Sequence, residues 1–406
     1  MSTADQVLVI NAGSSSLKYQ LVEPGTGKVA ASGLIEKIGE DSGGTHTHVV
    51  AEQTHLRDEY IADASAAFAA MLTAFADHGP DLAAAPPVAV GHRVVHGGAQ
   101  FAAATVIDAE VLDRIRRLSP LAPLHNPAGV AGIQVAMRAF DGVAQVAVFD
   151  TAFHRTLPSA AYTYAVPRQW REEFGVRRYG FHGTSYRYVS ARAIELLGGA
   201  TGLGIVVLHL GNGCSACAVL DGRSVETSMG MTPLEGLVMG TRSGDIDPSI
   251  GGHLARTTKL TAERTDTALN IECGLAGLTG ANDFRTVTQR AAAGDTDCQL
   301  ALDVVNHRLL KYIGGYATVM GRLDAVVFTG GIGEHDAALR ATVMDGLAIF
   351  GAQLDAAANS SASGEQVITT EDSRVVGLVV PTNEELQIAR ECVDVLGRSD
   401  SVRRRR

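Results

Sequence analysis

Residues 7–15 read Val-Leu-Val-Ile-Asn-Ala-Gly-Ser-Ser, and residues 207–215 read Val-Leu-His-Leu-Gly-Asn-Gly-Cys-Ser. In both stretches an apolar strand enters a turn of small polar residues, and a second apolar strand leaves it. A further turn, at 24–27 or at 221–222, then precedes a third strand. The two stretches lie about half a chain length apart, which indicates an internal duplication. We therefore predict two similarly built halves that face each other across a cleft.

Short β-rich runs alternate with longer helical runs along the rest of the chain, which is the pattern of the α/β class. The predicted strands are residues 7–10, 17–22, 28–35, 145–149, 325–328 and 375–380. The predicted helices include residues 64–76 and 130–140. Asn126 and Pro127 form a typical helix start, with Asn126 as the cap and proline in the first turn.

The composition bounds the class of protein. A chain of 406 residues with 46% apolar and 19% charged residues is long enough for two or three globular domains. Its formal net charge of −10 argues against a nucleic-acid-binding protein, because such a surface repels phosphate backbones. The four arginines at 403–406 are predicted to be merely solvated.

The sequence favours a soluble cytoplasmic protein with no membrane association. No cationic region precedes the short apolar run near the N-terminus, so a secretory signal is not expected. The uncharged stretch at 196–220 is interrupted by glycines, unlike a membrane helix. Five cysteines are too few for a disulfide framework. Cys214 and Cys217 lie on a strand where their side chains point to opposite faces, so a redox or zinc site is not expected.

Two kinds of nucleotide loop are excluded by their spacing. Gly27 and Lys28 lack the earlier glycine of a P-loop. The turn at 331–333 has Asp336 where a dinucleotide fingerprint needs its third glycine, which argues against a nicotinamide enzyme. Three glycine turns joined to strands remain, at 11–18, 209–213 and 330–334. Each is an ordinary tight turn by itself, but together they favour a polyphosphate held between two hairpins.

A family resemblance extends over almost the whole chain. The sequence resembles the acetate kinase family, within the superfamily that also contains sugar kinases, chaperones and actin. The matching stretches are residues 9–16, 91–98, 149–154, 178–185, 209–213, 240–245, 330–334 and 381–386. The alanine-rich region at 62–87 and the tail after residue 396 are individual to this chain.

The resemblance implies two duplicated ribonuclease-H-like (actin-like ATPase) domains, one formed by residues 1–150 with 386–406 and the other by residues 151–385. It implies a homodimer and a reversible transfer of the ATP γ-phosphoryl group to acetate, giving ADP and acetyl phosphate. The nucleotide-binding residues implied by the resemblance are Ser14, Ser16, Lys18, His209, Leu210, Gly211, Asn212, Gly213, Asp283, Phe284, Arg285, Gly330, Gly331, Ile332, Gly333 and Glu334.

The residue types suit this chemistry, because phosphoryl transfer depends on positioning and charge stabilisation. Arg93 can hold the acceptor carboxylate with its planar fork, although a structural ion pair is the alternative. His182 and Arg242 would stabilise charge on the phosphoryl oxygens; the alternative for His182 is an ordinary core histidine. Asp150 is catalytic in the family. Because the acid substrate is already ionised at neutral pH, we expect Asp150 to orient an arginine or a metal-bound water rather than act as a base.

The family binds Mg²⁺, with Mn²⁺ as an alternative, through Asn11 and a glutamate of residues 383–385. Thr382 and Glu385 also fit a capping box, with Thr382 as the N-cap, which leaves Glu384 for the metal. One carboxylate and one amide suffice, because Mg²⁺ keeps waters and phosphate oxygens as its other ligands.

The small apolar acetate pocket of the family maps to Val95, Leu124, Phe181 and Pro233. Two rival functions stay open. The first is the same reaction with propionate or butyrate, since one methylene changes specificity by only about 1–3 kcal/mol. The second is a non-catalytic nucleotide-dependent clamp, which would have no need of the acceptor site formed by Arg93, His182 and Arg242.

Overall fold

The computed structural model describes residues 6–123 and 125–403, without the side chains of 398–403. The chain divides into two compact units. The first unit is Met1–Ala152 with Asn383–Arg406, and the second unit is Phe153–Thr382. The prediction that the arginines at 403–406 are solvated lies outside the described side chains.

The strands of the first unit are β1 (Val7–Ala12), β2 (Ser16–Val22), β3 (Val29–Glu36), β4 (Gly44–Val50), β5 (Gln53–Glu59), β6 (Ala89–Val94), β7 (Thr105–Val106) and β8 (Ala144–Phe149). The strands of the second unit are β9 (Gly204–Leu210), β10 (Cys214–Leu220), β11 (Arg223–Thr227), β12 (Ala325–Thr329), β13 (Gln366–Val367) and β14 (Val376–Val379).

The helices are α1 (Ala64–His78), α2 (Ala109–Arg117), α3 (Asn126–Ala139), α4 (Ser159–Tyr162), α5 (Arg168–Glu173), α6 (Gly183–Leu196), α7 (Ser249–Thr257), α8 (Ala262–Ile271), α9 (Gly274–Thr279), α10 (Phe284–Ala292), α11 (Thr296–Met320), α12 (Gly330–His335), α13 (Ala337–Gly346), α14 (Ala356–Ser360) and α15 (Glu384–Arg403). Helix α15 belongs to the first unit. Short 3₁₀ turns lie at Ser119–Leu121, Ala152–Thr156 and Ala348–Phe350.

In the described chain the two sheets share one order over six strands, and the first sheet has two further strands, β4 and β5, at one edge. In the first unit the order is β5-β4-β3-β2-β1-β6-β8-β7, and in the second it is β11-β10-β9-β12-β14-β13. In each sheet, three consecutive strands form an antiparallel meander. On its other side the first strand of the meander pairs in parallel with a second strand, which pairs in parallel with a third. These strands are β1, β6 and β8 in the first unit and β9, β12 and β14 in the second. The prediction of a duplicated α/β fold is therefore confirmed.

The first strand of each meander lies at the centre of its sheet. Val7–Ile10 are at most 1% exposed, and Ile205–Leu208 are fully buried. Such continuous apolar runs are typical of strands covered on both faces. In the first unit, Leu8 and Ile10 share a core cluster with Phe68, Met71 and Phe75 of α1. The turns that follow these central strands are therefore held on a rigid base.

Two predicted helix starts are wrong in detail. Asn126 is the first residue of α3 but does not cap it; its amide instead accepts from His96 N at 3.2 Å and donates to His96 O at 3.1 Å. The capping box at α15 is also absent, because Asn383 Oδ1 accepts from Leu386 N at 3.0 Å. Thr382 donates to Ser185 at 2.8 Å instead. Both residues satisfy distant backbone or hydroxyl groups that local sequence does not reveal.

None of the helices in the described part of the chain combines the length and apolar character needed to cross a membrane.

Candidate active site

The first unit contains a cavity of about 290 Å³ near the carboxyl ends of β1 and β6 and the N-terminus of α3. Backbone turns and strand ends present polar side chains here, as in other α/β proteins. The predicted site residues that line the cavity are Asn11, Ser16, Lys18, Arg93 and Val95. Ser14 is exposed and does not contribute to the lining, and Leu124 lies outside the described residues.

Arg93 and Asp150 form a bidentate ion pair. Arg93 Nε donates to Asp150 Oδ1 at 3.0 Å, and Arg93 Nη2 donates to Oδ2 at 2.6 Å. Nη1 of Arg93 takes no part in this ion pair. Arg93 also lines the cavity. Asp150 is 1% exposed at the end of β8. The geometry thus combines both alternatives for Arg93, since a structural ion pair fixes a guanidinium that borders a cavity.

Glu384 is a second carboxylate whose charge acts on this ion pair. Burial raises the pKa of Asp150 to about 6; the nearby Glu384 charge acts in the same direction, and Arg93 acts against them. Burial also acts to lower the pKa of Arg93, but Asp150 and Glu384 outweigh it, so the net shift is upward. At neutral pH the predominant forms are therefore a carboxylate on Asp150 and a guanidinium on Arg93.

The two glutamates at the start of α15 have different surroundings. Glu385 forms an ion pair with Lys18 at 2.5 Å, which also gives Lys18 a carboxylate partner within this structure. Glu384 Oε1 is buried and accepts no hydrogen bond from the described residues. Lys18 therefore pairs with the carboxylate of Glu385, while Oε1 of Glu384 remains available as a hydrogen-bond acceptor or metal ligand.

The second unit contains a larger cavity, of about 630 Å³, beside the β9–β10 turn. The predicted nucleotide residues that line it are Gly211, Asn212, Asp283, Phe284, Arg285, Gly331 and Ile332. Asp283 also caps α10 by accepting from Thr286 N at 3.0 Å. Segments that are more than 100 residues apart in sequence thus converge on one cavity.

The turn that opens α12 depends on its first glycine. Gly330 has a φ of 77°, and a side chain there would meet Leu210 O at 2.7 Å. Its N–H donates to Glu334 Oε1 at 2.9 Å, so Glu334 closes this turn. Gly333 is buried beneath the turn, and Leu210 is 2% exposed. Gly330, Glu334 and Leu210 thus shape the backbone, while their neighbours line the cavity.

His182 and Arg242 converge over Gly213 in the β9–β10 turn. A Cβ built on Gly213 would lie 3.5 Å from Arg242 Nη1 and 3.7 Å from His182 Nε2. Arg242 Nη1 donates to the carbonyl of Pro233 at 3.0 Å. Among the described residues no carboxylate forms an ion pair with Arg242, and burial lowers its pKa. A half-buried arginine without a carboxylate partner, beside an imidazole, is suited to an anionic ligand.

The remaining predicted residues of this unit lie around His182. The His182 and His209 rings stack with centroids 4.1 Å apart. Phe181 is 2% exposed, and its carbonyl accepts from His154 Nε2 at 2.9 Å. His182 itself has a left-handed backbone with φ of 56° at the start of α6. Such strained non-glycine residues are concentrated at functional sites.

Comparison with known proteins agrees with this arrangement. A model of the acetokinase family matches residues 6–390. The chain belongs to the acetokinase family. An acetate kinase of Clavibacter sepedonicus is 54% identical over 393 residues, which cover 96% of this chain and 99% of that protein.

Solved structures of acetokinases are similar over their whole length. The crystal structure of Porphyromonas gingivalis acetate kinase has a TM-score of 0.92 at 39% identity, covering 97% of this chain and 100% of that one. A propionate kinase from Francisella tularensis has a TM-score of 0.90 at 41% identity, covering 96% and 99%. Membership of the acetokinase family thus accounts for both the fold and the recognised motifs.

Several residues at the two cavities were not predicted from the sequence. In the first unit these are His125 and Asn126, and in the second Asn282, His335 and Asp336. His125 could have been predicted from the sequence, because it directly precedes the helix that starts at Asn126 and a helix N-terminus can bind an anion. Ser215, whose hydroxyl lies 2.8 Å from His182 Nδ1, carried no such signal.

Proposed function

We propose that this acetokinase transfers the γ-phosphoryl group of ATP reversibly to acetate, by direct in-line displacement, giving ADP and acetyl phosphate. The observation that carries the proposal is the convergence of Arg242 and His182 over Gly213, beside a cavity lined by the predicted nucleotide residues. Two donors directed at one point suit a phosphoryl group whose oxygens gain charge during transfer.

The nucleotide is assigned to the cavity of the second unit. Its volume of about 630 Å³ lies within the range of cavities that hold ligands of nucleotide size. The turn at Gly211 and Asn212 and the N-terminus of α12 supply backbone N–H groups, which favour phosphate oxygens. Ser16 and Lys18 line the cavity of the first unit, and Lys18 forms an ion pair with Glu385. Their hydroxyl and ammonium groups are also suited to phosphate oxygens.

Acetate is assigned to the cavity of the first unit, where Arg93 would hold its carboxylate. Asp150 orients Arg93 through two hydrogen bonds and takes no proton from the substrate, because a carboxylic acid with a pKa of about 4–5 is already ionised at neutral pH. Val95 would contact the methyl end. The reacting oxygen then attacks phosphorus without a general base.

The residues of the first unit fit a divalent cation. Glu384 Oε1 is a buried acceptor without a described donor, and an amide from Asn11 lines the neighbouring cavity. Hard oxygen ligands of this kind suit Mg²⁺, with Mn²⁺ as an alternative. Glu384 and Asn11 would hold the ion, which when bound neutralises charge on the phosphate oxygens.

Propionate is the second candidate acid. It is supported by the solved propionate kinase from Francisella tularensis at 41% identity. A pocket that accepts a methyl group excludes one further methylene by only about 1–3 kcal/mol. We therefore propose acetate as the preferred acid and propionate as a slower one.

A homodimer and a cytoplasmic location complete the proposal. The family resemblance supports the dimer. The five cysteines, all within the described residues, are free thiols, as expected for a protein of a reducing compartment. The use of ATP as a substrate supports the same location.

The test is formation of ADP and of an acyl phosphate, trapped as the hydroxamate, with formate, acetate, propionate and butyrate. ADP release that depends on the acid, with the highest kcat/KM for acetate, is the expected result. Release of ADP at the same rate without any acid would instead identify the nucleotide-dependent clamp. A higher kcat/KM for propionate would change the substrate but keep the reaction.

A further inference from the structure

A buried chain of hydroxyl groups ends on the ring of His182. Ser215 Oγ lies 2.8 Å from His182 Nδ1 and also bonds to the hydroxyl of Tyr186. Ser215 and Tyr186 are both fully buried. We call Tyr186, Ser215 and His182 the hydroxyl relay. Which group donates and which accepts in this relay is constrained, because each hydroxyl has one hydrogen to donate.

The direction of the relay follows from the phenol. Burial raises the pKa of Tyr186 well above its usual value, so the phenol keeps its hydrogen, while its hydrogen bonds with Ser215 and with the His209 backbone act in the opposite direction. Among the described residues, Ser215 Oγ is the acceptor that the structure offers to that hydrogen. If Nδ1 of His182 donated to Ser215 instead, Ser215 and Tyr186 would have two hydroxyl hydrogens for the one contact between them. One of these hydrogens would then be buried without an acceptor, which costs about 1–3 kcal/mol.

The favourable order therefore runs from Tyr186 to Ser215 and from Ser215 to Nδ1 of His182. Nδ1 is then an acceptor, and in the neutral ring the proton lies on Nε2. Nε2 is the atom that lies 3.7 Å from the Cβ position of Gly213, the point on which Arg242 also converges. The relay thus directs an N–H donor toward the proposed phosphoryl position.

A second set of hydroxyls repeats the pattern on the stacked ring. Thr382 donates to Ser185 at 2.8 Å, and Ser185 Oγ lies 2.9 Å from His209 Nδ1. Within the described part of the chain, Nδ1 of His209 is the acceptor offered to the Ser185 hydrogen. Two neutral rings can stack at 4.1 Å, whereas two imidazolium rings would repel each other.

The surroundings of His182 also favour its neutral form. The ring sits at the N-terminus of α6, whose dipole disfavours a positive charge. Arg242 converges on the same point and supplies a fixed positive charge. Tyr186 and Cys214 are further titratable groups near the two rings, and burial raises the pKa of Cys214 to about 12, so its thiol stays uncharged.

We propose that Tyr186 and Ser215 are positioning residues that hold His182 as the neutral tautomer with its proton on Nε2. The inference deepens the proposed function, because it assigns a hydrogen-bond donor, rather than a general base, to the histidine beside the phosphoryl group. Arg242 supplies the charge there, and His182 supplies a directed N–H.

The ring ¹⁵N signals of histidine-labelled full-length protein test the tautomer directly. The signals of His182 are assigned as those lost in His182→Gln. In the parent protein we expect an unprotonated Nδ1 and a protonated Nε2. Ser215→Ala should populate the Nδ1–H tautomer, and Tyr186→Phe, which keeps the ring and removes the first donor, should do so to a smaller extent. A protonated Nδ1 in the parent, or parental ring signals in both variants, would overturn the proposal.

Kinetics provide a second readout. Ser215→Ala should lower kcat about tenfold, the usual effect of losing one buried hydrogen bond, with little change in KM for ATP. Ser190→Ala is the matched control, because Ser190 is 2% exposed on α6 and its hydroxyl lies near Arg187 O instead. Ser215→Thr retains the hydroxyl and should keep the parental tautomer. The ring signals need neither acid nor ATP, so a parent with the expected tautomer but no acid-dependent turnover would refute only the proposed function.

Discussion

The two units share one strand order but treat their key arginine differently. In the first unit Arg93 is held by the two hydrogen bonds that it donates to the buried carboxylate of Asp150. In the second, Arg242 bonds to the Pro233 carbonyl and has no carboxylate partner among the described residues. A paired arginine is fixed in place, which suits a carboxylate that is already charged when it binds. An unpaired arginine keeps its full charge for a group on which charge develops.

The largest effect is expected at the unpaired arginine. Arg242→Ala should lower kcat by about 10²–10³-fold, the range for loss of a donor to a developing charge, and should change KM for either substrate much less. Steady-state kinetics with both substrates varied provide the measurement. Arg264→Ala, which removes an exposed ion pair with Glu272, is the control and should behave like the parent. Near-normal kcat in Arg242→Ala would remove this residue from the transition state.

The paired arginine should respond in a different way. Arg93→Ala leaves the buried Asp150 without its partner and should destabilise the protein by about 3–5 kcal/mol, while raising KM for the acid. Arg93→Ala/Asp150→Ala should recover part of the stability but not acid binding. Denaturant unfolding together with acid kinetics separates the two effects. If the double variant also recovered acid affinity, Arg93 would be a structural residue alone.

The same comparison shows where sequence reasoning succeeds. Strands β1 and β9 are apolar runs that lead into glycine turns, at Asn11 and Asn212 respectively, so both the duplicated fold and these turns were predicted. The β4–β5 hairpin was not predicted, because its inward positions are polar. His46 and His48 are 3% and 1% exposed, and both bond to the hydroxyl of Tyr19, at 2.9 and 2.7 Å. Their burial depends on a partner two strands away.

Candidate site residues divide in the same way, into those marked by a local sequence motif and those that depend on a distant partner. Arg242 and Ile332 lie within glycine motifs, and their roles were predicted from the family resemblance that those motifs carry. Ser215 and Thr382 bond to the hydroxyls of Tyr186 and Ser185 on α6, and no local sequence pattern indicates such a contact. Thr382 in particular fits a capping box by sequence, but it bonds to Ser185 instead.

The two glutamates of α15 should differ in their effect on metal dependence. Glu384→Ala should raise the Mg²⁺ concentration for half-maximal activity by about 10- to 100-fold, as expected for a disturbed metal site. Glu385→Ala removes the ion pair with Lys18 and should change this value much less. Mg²⁺ titrations of activity at fixed ATP give both values, and Glu385→Ala serves as the matched control. The reverse ranking would assign the metal to Glu385.

The first unit should also impose a pH dependence on acid binding. Burial raises the pKa of Asp150 to about 6, so its carboxylate is present above that pH and is lost as the pH falls through it. Protonated Asp150 no longer fixes Arg93, and KM for acetate should rise about tenfold between pH 7 and pH 5. Asp150→Asn should lack this transition. A transition near pH 6 confined to kcat would instead indicate that Asp150 exchanges a proton in catalysis.

The smallest effect is expected at Val95, which lines the first-unit cavity together with Arg93. Val95→Ala removes two methyl groups, which opens space for a longer acid and takes an apolar contact from acetate. Each buried methylene contributes about 0.8 kcal/mol, so preference should shift several-fold per added carbon.

The shift should appear mainly in KM, because Arg93 still fixes the carboxylate and the reacting oxygen keeps its position. The measurement is kcat and KM for acetate, propionate and butyrate at saturating MgATP. Val143→Ala, which shortens a partly buried valine packed against the first-unit core, is the control for general loosening. If Val95→Ala leaves the order and ratio of the three acids unchanged, Val95 is a core residue and the methyl group of acetate binds elsewhere.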